Sequence, residues 1–148
     1  TKADIPLFRG TSEGFAGNRA QQILEISPAA TDPAVATIFA TESENYVKGV
    51  LYITSTNEIS SLGVTENILA EAETEVAINV APSLFPKYAT RSITAEQSRA
   101  ILKEMGIALP TKVRDKEHIS TLLKEVRKLT PKEINTYLKK VEELNKKP

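Results

Sequence analysis

The sequence predicts an α+β fold, with strands and short helices first and amphipathic helices after. Three observations carry that prediction. "VKGVLYIT" (Val47–Thr54) is apolar on both faces, as a strand buried inside a sheet must be. "AEAETEVAINVAP" (Ala70–Pro82) alternates at the period of a strand: Glu71, Glu73, Glu75, Ala77 and Asn79 on one face, Ala72, Thr74, Val76, Ile78 and Val80 on the other. The last third carries two helix starts of the form Thr-x-x-Gln/Glu, each followed by apolar residues at helical spacing.

The elements follow in order. "ADIPLFR" (Ala3–Arg9) reads as a short strand that ends at the Gly-, Ser- and Thr-rich loop "GTSEGFAGN". "RAQQILEI" (Arg19–Ile26) reads as a short helix running into a strand, and "SPAATDP" as a turn. Asp32 or Thr31 then caps a helix with Pro33 at its first position, continuing as "AVATIFATES". The segment from Ser55 to Asn67 reads as a long loop before the glutamate strand. "TAEQSRAILKEMG" opens with a Thr94/Gln97 capping box and stops at Gly106. "DKEHISTLLKEVRKL" sets Ile119, Leu122, Leu123 and Val126 on one helical face. "TPKEINTYLKKVEEL" begins with Thr130 as cap, Pro131 in the first turn and Glu133 completing a box. Its stripe is Ile134, Tyr137 or Leu138, Val141 and Leu144.

Bulk properties narrow the function classes. A chain of 148 residues with 41% hydrophobic and 26% charged residues matches a globular protein of one domain. No run reaches the roughly 18 apolar residues of a membrane span, so no membrane anchoring is expected. The absence of cysteine excludes disulfides and thiolate metal sites, and the single His118 excludes a two-histidine nuclease centre; no metal is expected. Residues 1–109 hold 8 basic and 13 acidic residues, net −5, whereas 110–148 hold 11 and 6, net +5. The organisation expected is a core over 1–109 and a basic helical extension over 110–148, joined to the core or appended to it. The chain opens "TKADIP" without a methionine or a leader, as expected of a piece of something longer.

Three segments carry candidate chemistry. Glu71, Glu73 and Glu75 on one strand face repel one another and raise one another's pKa. Such a row is either the solvated face of an edge strand, where charge blocks aggregation, or a catalytic cluster that stabilises a developing positive charge and activates an acceptor. Arg9 ends a strand row begun by Ile5 and Leu7, and Gly10 and Thr11 after it leave room for a ligand to reach the backbone. The guanidinium there is either a surface charge or a phosphate fork. Ser27 and Thr31 flank a strand end and helix start, where hydroxyls either cap or donate into a cleft. Phe15, Phe39, Tyr46 and Tyr52 are the aromatics nearest these segments in sequence, with core packing the default for each.

Taken together and in this order, "FRGT" (Phe8–Thr11), "SPAATDPAVATIFA" (Ser27–Ala40) and "ETEV" (Glu73–Val76) resemble the ADP-ribosyltransferase family of the Arg–Ser–Glu type, over roughly residues 3–105. The resemblance implies split mixed β-sheets around an NAD cleft. It implies that Arg9, with Gly10 and Thr11, binds the NAD phosphate or adjacent ribose, and that Ser27 or Thr31 orders the nicotinamide ribose. Glu75 would hold the ribose hydroxyl and stabilise an oxocarbenium-like transition state, and Glu73 would orient or deprotonate the acceptor. A positive transition state beside carboxylates follows the logic of glycoside hydrolysis. The family's Ser-Thr-Ser stands here as Ser27-Pro28-Ala29-Ala30-Thr31, so both hydroxyls remain candidates.

The function this implies is a toxin or effector domain, secreted or delivered into a target-cell cytoplasm in interbacterial competition. It would transfer ADP-ribose from NAD to a protein or nucleic acid and release nicotinamide. A cognate immunity protein would cover the cleft. An NAD glycohydrolase, passing the same cation to water, is the nearest alternative. A nuclease or nucleic-acid-binding module is the third, acting through Lys112, Arg114, Lys116, Lys124, Arg127, Lys128, Lys139 and Lys140, with interleaved acids and few aromatics against it.

Overall fold

A computed structural model describes residues 5–12, 27–41, 49–59, 64–66, 75–78, 80, 84–112 and 116–146. The fold is α+β. Six strands, β1 (Pro6–Ser12), β2 (Ser27–Ala30), β3 (Gly49–Ser55), β4 (Val64–Glu66), β5 (Glu75–Ile78) and β6 (Arg91–Thr94), form one sheet in the order β4-β5-β2-β1-β3-β6. Among the described residues four α-helices accompany it: α1 (Pro33–Ala40), α2 (Ala95–Glu104), α3 (Lys116–Glu125) and α4 (Pro131–Lys146). Every pairing among the described strands is antiparallel, which corrects the expected mixed sheet.

Local signals placed the helices well. Asp32, not Thr31, caps α1: its Oδ1 accepts the Ala34 N–H at 2.8 Å, and Pro33 fills the first position, where no N–H partner is needed. Thr94 and Gln97 close a reciprocal box at α2 with two 3.0 Å bonds, and Gly106 follows the helix at φ 84°, a conformation that suits glycine. Thr130 and Glu133 do the same for α4, with bonds of 3.0 and 3.2 Å. Leu122 and Val126 sit half-buried while Ile119 and Leu123 are buried, and the helix ends before Val126.

Strand boundaries moved more. β1 runs on through Gly10, Thr11 and Ser12, where a loop was expected, because the register with β3 holds from Pro6–Ser55 to Ser12–Gly49; the rest of that expected loop lies outside the described residues. Ser27–Ala30 is a strand and not a turn, held by four pairs to β5. The stretch expected to be a loop between β3 and the glutamates contains β4, where Val64, Thr65 and Glu66 pair with Ile78, Ala77 and Val76. β6 was not expected; its "RSIT" is too short to show a period. The helix expected over Arg19–Ile26, and Glu71, Glu73, Phe15 and Tyr46, lie outside the described residues.

Two apolar clusters lie on the two faces of the sheet. On the helical face Phe8, Ala30, Leu51, Ile53 and Ile93 meet Val35 and Ile38 of α1, Ile101 and Leu102 of α2, Ile119 and Leu123 of α3, and Tyr137 and Val141 of α4. Each such aliphatic side chain contributes roughly 1.5–3 kcal/mol of burial. The C-terminal helices therefore share the core of residues 1–109. Tyr137, not Leu138, takes the fully buried position, its ring edge-on to Phe8 at 5.8 Å. The opposite face packs Leu7, Ala29, Ile59, Ile78, Val80 and Phe85, with Tyr52 and Tyr88 against them.

Candidate functional site

β1 is central, with β2 on one side and β3 on the other. Arg9 alternates with Phe8, so it falls on the face of Leu7, away from the helices. There its guanidinium lies over the ring of Phe85, 5.8 Å from the centroid, and Arg9 is the register partner of Tyr52 on β3. Phe85 and Tyr52 meet edge to face at 6.4 Å. Arg9 is only 9% exposed, and burial lowers its pKa, while Tyr52 acts in the opposite direction. An arginine so placed stays charged at neutral pH, with one aromatic ring under its guanidinium. The surface-charge reading of Arg9 is therefore corrected: the charge is built into the interior face.

Gly10 is not a gap left for a ligand. A methyl group there would overlap the Ala36 carbonyl, so the missing side chain lets α1 cross β1 at close range. Thr11, half-buried, pairs with Val50.

β1 and β2 pair at a single position, Phe8–Ala30. The same register continued would set Arg9 against Ala29, Gly10 against Pro28 and Thr11 against Ser27, but no pairing forms among these described residues. Pro28 has no N–H to give to a ladder. The sheet is thus two three-stranded halves, β4-β5-β2 and β1-β3-β6, joined at one pair. Arg9, Gly10 and Thr11 follow this pair on β1, and Ser27 precedes it on β2.

β5 adjoins β2. Glu75 is its first residue and pairs with Ala30, and Ser27 pairs with Ile78. The rows Phe8–Ala30–Glu75 and Arg9–Tyr52–Ser92 are neighbours, so Arg9 and Glu75 stand two strands and one row apart. Thr31, half-buried, follows β2 directly and precedes the buried cap Asp32. The three segments singled out in the sequence, the other two beginning 18 and ending 66 residues from Arg9 along the chain, are therefore brought onto three consecutive strands, β1, β2 and β5.

Phe85 and Tyr52 were missed as neighbours of Arg9. Tyr52 carried a signal, since a strand pairing with β1 must set some residue opposite Arg9; Phe85, within "PSLFPKY", carried none. A hollow of about 340 Å³ opens beside Tyr52, lined by Pro86, Thr90, Arg91, Ser92 and Asn145 among others. It lies at the β3–β6 side, away from β2 and β5. Of the basic C-terminal residues, Arg127 is bound to Glu133 at 2.8 Å and Lys140 to Glu104 at 2.9 Å, and Arg114 lies outside the described residues. His118 is half-buried in the first turn of α3. Among the described residues no group of acidic and histidine side chains is gathered as for a metal, and no helix is long and apolar enough to cross a membrane. Comparison with protein-family models, with curated proteins and with solved structures found no match.

Proposed function

We propose that this chain is an NAD-dependent ADP-ribosyltransferase of the Arg–Ser–Glu type, a toxin or effector domain that modifies a protein or nucleic acid. The observation that supports this best is the strand order: Arg9, the Ser27–Thr31 segment and Glu75 come from distant parts of the chain onto β1, β2 and β5, which adjoin. A second support is the single-pair junction between β1 and β2, with Arg9 and Thr11 on one strand beyond it and Ser27 on the other.

In this reading Arg9, with Phe85 beneath its guanidinium, presents it to the dinucleotide phosphates. Ser27 or Thr31 binds the ribose next to nicotinamide. Glu75 stabilises the ribosyl cation as the nicotinamide bond breaks, and Glu73 takes the proton from the attacking group. The reading makes one demand: Glu75 heads β5 in the row of Phe8 and Ala30, which pack toward the helices, so the site must admit a carboxylate from that row to the ligand that Arg9 holds. As a delivered toxin the domain would be restrained by an immunity protein covering the site.

The test is incubation with NAD labelled in its adenylate half, in the presence of cell lysate. Label on macromolecules supports transfer, and free labelled ADP-ribose alone supports the glycohydrolase. Intact NAD after prolonged incubation with well-folded protein contradicts both.

A further inference from the structure

The segment Val126–Thr130 joins α3 to α4, and its Leu129 N–H donates to Asp32 Oδ2 at 2.8 Å. The other oxygen of the same carboxylate caps α1, accepting from Ala34 N–H at 2.8 Å. Asp32 is 3% exposed, so both donors depend on it rather than on water. A carboxylate has an acceptor oxygen for each donor; an amide or a hydroxyl at this position has one. The segment is itself held firmly. Arg127 donates to the Met105 carbonyl at 3.1 Å and to both oxygens of Glu133 at 2.8 and 3.0 Å, and the Leu129 side chain is buried. The residue immediately before Asp32 is Thr31, at the end of β2.

We infer that the 126–130 segment is a strap that sets the Thr31 turn, with Asp32 as the positioning residue that transmits it. The C-terminal helices, beyond the reach of any resemblance in the sequence, then serve the site by fixing the exit of β2. The inference rests on the reading of the Ser27–Thr31 segment as part of an NAD site.

The experiment compares wild type with Asp32→Asn and Asp32→Ser. Both replacements are good helix caps, so α1 keeps its start while the bond to Leu129 is lost. Three readouts are taken well below the melting temperature: amide hydrogen exchange at Leu129, the amide resonance position of Thr31, and NAD turnover. In both variants exchange at Leu129 is expected to accelerate roughly ten- to hundredfold, the range for losing a hydrogen bond to a charged group, and the Thr31 resonance to shift. The turnover number is expected to fall at least about tenfold, with KM changing less. A merely structural Asp32 would lower the melting temperature and leave the turnover number of the folded fraction within twofold of wild type, and that result overturns the inference. An unmoved Thr31 amide resonance overturns it as well. Should wild type itself leave NAD intact, the functional reading fails, and the Thr31 resonance alone decides whether the strap sets the turn.

Discussion

Three buried hydroxyls give the fold a directional hydrogen-bond chain, and the cost of cutting it depends on where the cut falls. Thr37 Oγ1 donates to the Pro33 carbonyl at 2.6 Å. Having spent its proton, it must accept from Ser98 Oγ, 2.7 Å away. Ser98 must then accept from Tyr137 Oη, at 2.6 Å. The order is therefore Tyr137 to Ser98 to Thr37 to Pro33, linking α4, α2 and α1, and all three side chains are 0% exposed. Burial raises the Tyr137 pKa further above its ordinary value, so the phenol stays protonated as donor. Ser98→Ala strands the Tyr137 O–H in the core, a penalty of about 1–3 kcal/mol. Tyr137→Phe removes that donor, keeps the ring contact with Phe8 and leaves only an unfilled lone pair on Ser98, costing about 0.5–1.5 kcal/mol. The double variant has no stranded donor, so it should be no less stable than Ser98→Ala alone. Urea unfolding followed by circular dichroism measures all three. A Tyr137→Phe cost above that of Ser98→Ala, or simple additivity in the double variant, would refute the assigned direction.

Other consequences are as definite. Gly10→Ala drives a methyl group into the Ala36 carbonyl and must push α1 off β1, so a loss of about 3 kcal/mol or more is expected in the same unfolding assay. Glu133 is held down to a pKa of about 2 by Arg127 first and by the Thr130 backbone N–H second. A lowered carboxylate contributes stability above its unfolded pKa and loses it as pH falls from there to the folded value. Wild type should therefore lose part of its stability between about pH 4.5 and 2, and Glu133→Gln should flatten that part of the profile. Arg9→Lys keeps the charge but not the planar fork over Phe85; on the proposed function it should raise KM for NAD about tenfold or more, read by initial rates.

What the sequence made legible was local. Asp32-Pro33, Thr94/Gln97, Thr130/Glu133 and Gly106 each announce a helix end through bonds within a few residues, and each helix stands where they place it. Strands depend on partners far along the chain. Ser27-Pro28 looks like a turn because proline is foreign to a sheet interior, yet β2 tolerates it where its ladder to β1 has lapsed to one pair. The Gly10 gap looked like space for a ligand because nothing in "FRGT" announces the helix crossing above it. The Tyr137–Ser98 bond spans 39 residues and the Leu129–Asp32 bond 97, and no spacing rule connects such pairs. The order of the candidate segments was legible; the adjacency of their strands appears only in the assembled sheet.

The central claim is that the strands of Arg9 and Glu75 cooperate to release nicotinamide from NAD. Nicotinamide released by wild type and by Glu75→Gln, at equal concentrations of folded protein, tests it most directly. The account predicts steady release by wild type and a loss of about a hundredfold or more in the variant, the scale for removing one group that stabilises transition-state charge. Release at the wild-type rate from Glu75→Gln, or none from wild type, would contradict it.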